Sequence, residues 1–190
     1  MATSLSKRAW AEGEFQGHGR RAPSVDPVAL LKCEHVMIME HLRMIEAVIE
    51  PRRVGPRVTG RELAKPDLVT LRDLFRFFTG KVSVHFRREA VLITTLGRLL
   101  GRKREEREWL EGLLSEHRAM KAAAVSIVKT LKGKAAGAAA ERGSDPFGIK
   151  AFVQHYRKHL LCEESVLFEM AEMRLTGEQK LHAGQRMLQM

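Results

Sequence analysis

The chain has 190 residues, of which 44% are hydrophobic, so it can bury a core as one domain without disulfide bonds. Its net charge is +10, but the basic residues are scattered and no nucleic-acid motif accompanies them, so we expect a solvated basic surface and no nucleic-acid partner. Two cysteines without CxxC spacing, no secretory signal and no apolar run near the ~20 residues of a membrane helix favour a cytoplasmic protein that does not enter membranes.

Helix signals recur along the chain, and no strand alternation competes with them. Asp26-Pro27 and Asp145-Pro146 each combine an N-capping residue with proline at the first helical position, which is typical of helix starts. The predicted segments are a flexible basic tail at 1–25, helices at 27–49, 66–100, 104–132 and 146–175, a short helix within 178–188, and connections formed by PRRVGPRVTG and KGKAAGAAAERGSDP.

Each of the four longer helices carries one apolar stripe, traced in steps of three and four residues. Because each stripe must be buried against another helix, the pattern predicts an all-α bundle over residues 26–175, with 176–190 as a C-terminal extension. The stripes are Leu31, His35, Ile38, Leu42, Ile45, Ile49; Leu71, Leu74, Phe78, Val82, His85, Glu89, Leu92, Leu96, Leu99; Leu110, Leu113, His117, Met120, Ala124, Ile127, Leu131; and Phe152, Tyr156, His159, Glu163, Val166, Met170, Met173.

One histidine interrupts every stripe, and in two stripes a glutamate follows four residues later. The interruptions form an internal repeat, in which a lone histidine and then an HxxxE pair occur twice along the chain. Two helix hairpins related by a pseudo-two-fold axis would bring all these side chains to one level of the bundle. The six candidates for a metal site are His35, His85, Glu89, His117, His159 and Glu163.

Six buried polar side chains need compensation, because an isolated buried carboxylate is costly even after relaxation. A pair of cations would provide it, and mixed imidazole and carboxylate donors in a bundle core are typical of di-iron and di-manganese sites. Zinc is a further option, although the lack of cysteine ligands argues against a structural zinc site. Salt bridges between the histidines and glutamates, without metal, are the alternative.

Four segments of the chain resemble the hemerythrin-like, or HHE cation-binding, family, and the resemblance covers about residues 26–175. The segments are DPVALLKCEH, HFRREAVL, LLSEH and HLLCEESVLFEMAE. The resemblance implies an up-down antiparallel four-helix bundle around a non-haem di-iron centre with an oxo or hydroxo bridge. It also implies the ligand roles: His85 and His159 as terminal ligands, Glu89 and Glu163 as bridges, and His35 and His117 as the lone histidines of the first and third helices.

Two positions depart from the oxygen-carrying hemerythrins. Their third helix has a second histidine one turn after the first, where this chain has Lys121. Their fourth helix offers a carboxylate five residues after its histidine, where this chain has Glu164 directly beside Glu163. The six-ligand pattern therefore resembles the HHE branch, which speaks against reversible oxygen carriage.

Some assignments stay open at the level of sequence. His41 lies on a second apolar line of the first helix and competes with His35, and Glu164 competes with Glu163. Tyr156 lies in its stripe, where it could pack against other residues or donate a hydrogen bond to a ligand of the metal.

Three functions are compatible with these features. The first is a di-iron protein whose centre binds or senses dioxygen, peroxide or nitric oxide. The second is an enzyme that processes peroxide or nitric oxide at the same centre. The third is an interaction module that metal merely stabilises and whose basic surface binds an acidic partner. The sequence leaves the oligomeric state undetermined.

Overall fold

A computed structural model describes residues 25–50, 65–101, 103–135 and 146–190, and the regular structure in these ranges is entirely helical. None of the described helices is both long and apolar enough to cross a bilayer. The predicted tail up to residue 24, the predicted loop at 51–60 and residues 136–145 of the alanine-rich connection lie outside the described ranges. The α-helices are α1 (Pro27–Ile49), α2 (Lys65–Thr79), α3 (Lys81–Leu99), α4 (Arg104–Ala135), α5 (Ile149–Cys162), α6 (Glu169–Arg174) and α7 (Gly177–Leu188).

Side-chain caps explain where the first and last helices begin. Asp26 Oδ1 accepts a hydrogen bond from the Ala29 amide at 2.8 Å, and Pro27 occupies the first helical position, as predicted. At the start of α7, Thr176 and Gln179 form a reciprocal capping box. Both caps satisfy amide groups that have no partner within the helix itself.

The predicted long helix over residues 66–100 is two helices. Gly80 interrupts it with φ −108° and ψ −82°, so that α2 ends at Thr79 and α3 begins at Lys81. A Cβ atom at this position would lie only 3.2 Å from the Arg76 carbonyl oxygen, which favours glycine. The prediction that Gly133 ends the next helix was also wrong, since α4 continues to Ala135. A glycine inside a helix costs only about 1 kcal/mol, which the packing of this long helix overcomes.

The predicted fourth helix changes register halfway along its length. A π-helix at Glu163–Phe168 separates α5 from α6, and a 3₁₀-helix at Pro146–Gly148 precedes α5. The extra residue of a π-turn shifts the inward face by one position. Val166 and Met173 of the predicted stripe are therefore 39% and 75% exposed, while Leu167 and Phe168 are fully buried in their place.

The helices pack into a bundle whose interior contains two apolar clusters. Helix α1 contacts α2, α3 and α5, and α4 contacts the same three helices. One cluster, here called the lower core, includes Ile38, Phe86, Met120 and Leu160. The other, the upper core, includes Leu31, Leu92, Leu113 and Leu167. Along α1, α3, α4 and the segment from α5 into the π-helix, the polar interruption of the stripe lies between a residue of one core and a residue of the other.

Candidate metal centre

The six polar side chains that interrupt the stripes meet in one layer between the lower and upper cores. They come from α1, α3, α4, α5 and the first residue of the π-helix, and each is at most 5% exposed. They are His35, His85, Glu89, His117, His159 and Glu163. Ligand donors from separate helices therefore meet at one level of the interior.

The carboxylate of Glu89 reaches toward histidines of both halves of the chain. Its Oε1 atom lies 3.5 Å from His35 Nε2 and 3.3 Å from His85 Nε2. Its Oε2 atom lies 3.5 Å from His117 Nε2. One oxygen of Glu89 thus faces the pair His35 and His85, and the other faces His117 of the pair His117 and His159.

Glu163 repeats this arrangement from the opposite side. Its Oε1 atom lies 2.9 Å from both His117 Nε2 and His159 Nε2, and its Oε2 atom lies 3.5 Å from His35 Nε2. The ligand atoms fall into two groups that could each hold a metal ion, and Glu163 belongs to both. The groups are His35, His85, Glu89 and Glu163, and His117, His159 and Glu163.

Unpaired atoms in this layer test whether a cation fits. Among the described residues, the Nε2 atoms of His35, His85 and His159 are buried and form no hydrogen bond, and the 2.9 Å contact of His159 with Glu163 Oε1 lacks hydrogen-bond geometry. Both oxygens of Glu89 and Oε2 of Glu163 are in the same condition. Buried polar atoms are normally satisfied, and orphaned ones cost free energy. Nitrogen and carboxylate donors that lack protein partners suit a divalent transition metal, so these residues fit a metal site.

Carboxylates outside the layer orient the rings of His85 and His159. Nδ1 of His85 lies 2.9 Å from Glu34 Oε2, and Nδ1 of His159 lies 2.8 Å from Glu116 Oε2. Such a partner fixes the ring and directs Nε2 to the other side. Neither Glu34 nor Glu116 was predicted to take part in the site. A usable signal was present, because each directly precedes a lone histidine, in LKCEH and LSEH.

The two lone histidines differ in their surroundings. His35 Nδ1 lies 2.9 Å from Glu164 Oε1, whereas the buried Nδ1 of His117 has no hydrogen-bond partner within the described ranges. Instead, the His117 ring stacks on Phe86, with centroids 4.2 Å apart and planes at 7°. The internal repeat is therefore imperfect at these positions.

Neighbouring charges shift the pKa values within the layer. Burial alone would lower the pKa of His35, but its interactions with Glu163 and Glu89 raise it to about 9. Burial likewise opposes protonation of His85, yet Glu89 and Glu34 raise its pKa to about 10. Burial would raise the pKa of Glu163, but contacts with three histidines hold it well below the usual value. Without metal, these shifts favour protonated imidazoles at His35 and His85 beside a charged Glu163 carboxylate.

The alternative residues take other positions. Half-buried His41 lies outside both donor groups, with Nδ1 2.9 Å from the Met37 carbonyl oxygen and its ring stacked on Phe77. The Glu164 side chain is 47% exposed, whereas Glu163 is fully buried. The structure therefore brings His35 and Glu163 into the layer and leaves His41 outside it.

Tyr156 borders the layer from the lower core. It is fully buried, and its hydroxyl has no hydrogen-bond partner among the described residues. Burial raises the pKa of the phenol above its usual range, and the charges of Glu89 and Glu163 add to the shift. The hydroxyl therefore keeps its proton and can donate it in a hydrogen bond.

Together, the helical bundle and the buried histidine–glutamate layer define a metal-binding bundle protein. Residues 26–171 match the family described as hemerythrin HHE cation binding domain, and the chain belongs to that family. No curated protein and no solved structure matches the chain. The family match ends before α7 begins.

Proposed function

We propose that the protein is a non-haem di-iron protein whose buried centre binds or senses dioxygen or a related small ligand such as peroxide or nitric oxide. The observation that carries the proposal is the position of Glu89 and Glu163, because each carboxylate turns one oxygen to one histidine pair and the other oxygen to the second pair. A carboxylate placed in this way can hold two ions at once.

The ligand roles follow from these contacts. His35 and His85 would hold one ion, and His117 and His159 the other, with both glutamates shared. Two imidazoles and two carboxylate oxygens are four protein donors per ion, which leaves room for small ligands on an ion that prefers six. Iron bound there would supply one-electron redox chemistry and sites for small ligands.

The protein around the layer provides a dry site and one hydrogen-bond donor. The lower and upper cores exclude water on both sides, which strengthens electrostatic interactions within the layer. The hydroxyl of Tyr156, which has no hydrogen-bond partner among the described residues, is a donor that could bind the ligand. These features favour binding or activation of a small polar molecule.

The proposal includes the up-down antiparallel arrangement of the bundle. It is supported by the order in which the chain meets the two cores. Leu31 of the upper core precedes Ile38 of the lower core in α1, whereas Phe86 of the lower core precedes Leu92 of the upper core in α3. Helix α4 repeats the order of α1, and the segment from α5 through the π-helix repeats that of α3.

Elemental analysis of protein from iron-supplemented cells tests the proposal. We expect about two iron ions per chain in the wild type and a clear loss in His85→Ala and His159→Ala, because each variant removes a donor from one position. Exposed His155 provides the matched control, and His155→Ala should keep its iron. Iron-loaded protein should also show a near-UV absorption band that changes when peroxide is added. Wild-type protein that stays free of iron under every loading condition would refute the proposal.

A di-iron enzyme that consumes peroxide or nitric oxide is the second candidate, favoured by the small number of protein donors per ion. Continued turnover of peroxide by the iron-loaded protein, abolished in Glu163→Ala, would establish catalysis. A reaction that stops after one equivalent would instead leave the protein as a binder or sensor.

A further inference from the structure

We propose that helix α7 positions His85 through Arg88 and Glu34, so that the docking of α7 sets how firmly a metal is held at that position. Helix α7 lies outside residues 26–171, which match the family, and has no part in the six-residue layer. The inference rests on the proposed metal centre. Arg88 and Glu34 are positioning residues, since they act on the metal only through His85.

A continuous series of contacts joins α7 to the layer. Arg88 Nε donates a hydrogen bond to the Met187 carbonyl oxygen, near the end of α7, at 3.1 Å. The same guanidinium donates to Glu34 Oε1, and the other oxygen of Glu34 lies 2.9 Å from His85 Nδ1. His85 Nε2 faces Glu89 at 3.3 Å. Movement of α7 therefore reaches the metal-facing nitrogen through two side chains.

The series is well shielded from water. Glu34 is 8% exposed and His85 is 2% exposed, so the charged contacts between them are screened little by solvent. Burial would raise the pKa of Glu34, but contacts with His85 and Arg88 lower it, and the carboxylate stays charged. A carboxylate held from both sides has little freedom to turn away from the imidazole.

The other half of the internal repeat lacks this support. Cys162 occupies the position three residues after His159 that Arg88 occupies after His85. Within the described residues, no arginine or lysine pairs with Glu116, and its side chain is 50% exposed. The contrast indicates that the link to α7 belongs to the His85 half alone and is no general feature of the repeat.

Docking of α7 depends on a very close approach to the start of α1. Ala183, Gly184 and Met187 are its buried face, and α7 contacts α1 and α3. A Cβ atom added to Gly184 would lie 1.9 Å from the Val25 carbonyl oxygen, so alanine cannot fit there unless α7 and the backbone before α1 move apart. Gly184→Ala is therefore a minimal change that displaces the helix.

A cavity of about 460 Å³ lies beside these contacts. It extends from exposed Lys81 to buried His85, and Glu34, Arg88 and Met190 also line it. Met190, two positions beyond the end of α7, therefore lines the same cavity as His85, the proposed metal ligand. Displacement of α7 should open this route to a chelator as well as release Arg88.

Release of cobalt(II) to EDTA tests the proposal. In protein loaded with cobalt(II), Arg88→Gln and Gly184→Ala should release one of the bound ions about 10- to 100-fold faster than wild type, the usual effect of losing a partner outside the ligand shell. Arg88→Lys keeps the charge but loses the forked pair of donors, so its rate of cobalt release should lie between those of wild type and Arg88→Gln. The controls are Arg87→Gln, at a neighbouring exposed arginine, and Gly112→Ala, where an added Cβ meets nothing within 4 Å. Both should release cobalt at the wild-type rate.

Nitrogen chemical shifts of the histidine rings in the metal-free protein provide an independent readout. Arg88→Gln and Gly184→Ala should move the ring signals of His85 and leave those of His159 in place. If wild-type protein binds neither cobalt nor iron, the proposed function fails while this measurement still decides the positioning role. Unchanged His85 signals in Arg88→Gln would overturn the inference, and so would equal changes at His85 and His159. Should Gly184→Ala fail to fold, Arg88→Gln decides alone.

Discussion

Carboxylates behind the histidines determine which ring nitrogen faces the layer. In a neutral imidazole the proton lies on the nitrogen that has the acceptor, so Glu34, Glu116 and Glu164 favour protonated Nδ1 on their partners. When the ring loses its second proton on metal binding, the lone pair of Nε2 then points inward, toward the metal. The same carboxylates make each imidazole a stronger base and a stronger ligand.

The raised histidine pKa values predict a pH dependence for the metal-free protein. His35 and His85 titrate near 9 and 10 in the fold but near 6.5 when unfolded, so the folded state holds protons that the unfolded state has lost. Stability from these groups is complete below pH 6.5 and is lost as the pH rises through the folded pKa values. Urea unfolding between pH 6 and 10 measures it, and a flat profile would contradict it.

Residue roles could be predicted only where the sequence pattern distinguishes them. The buried positions of His35 and Glu163 agree with the phase of the apolar stripe. Glu163 and Glu164 are adjacent and carry the same carboxylate, so residue type alone does not show which of them lies in the layer. Contacts between helices, such as Glu34 with His85, depend on three-dimensional packing that no local pattern specifies.

The buried face of a helix could be predicted only where its apolar residues follow a single phase. The stripes of α1 and α4 are buried at every predicted position, because their apolar residues follow one uninterrupted phase. After Glu163 the sequence VLF provides apolar side chains in two phases, so only packing in the bundle selects the π-helix. Leu99 is 43% exposed and Leu100 is buried for a similar reason, since either leucine could fill that place.

The side-chain cap of α1 should contribute measurably to the stability of the protein. Asp26→Ala removes the acceptor for the Ala29 amide and should destabilise the protein by about 1 kcal/mol. Metal content should not change, because eight residues of helix separate the cap from His35. Chemical denaturation of the metal-free variant measures the loss. Glu40→Ala, which breaks only an exposed ion pair with Arg43 on the same helix, should cost less than half as much. Equal losses in the two variants would contradict the capping role.

The described part of the chain has two apolar cores separated by one polar layer, and the stability of the protein should therefore depend on metal. A cation that binds the folded protein at 100 times its dissociation constant adds about 2.7 kcal/mol. For a chain of this size, that corresponds to a rise in Tm of about 5–10 °C. Differential scanning fluorimetry with and without iron(II) measures the rise. A variant carrying both His85→Ala and His159→Ala should show none, and an equal rise in that variant would place the ion elsewhere.

The unequal halves of the internal repeat bear on how a dinuclear centre would fill. His35 and His85 are both braced by carboxylates, and one of these is itself held by Arg88. His117 has no such brace within the described residues. Two ions in such a site would enter one after the other, with the braced half first. A singly loaded form would then be a distinct species at limiting metal supply.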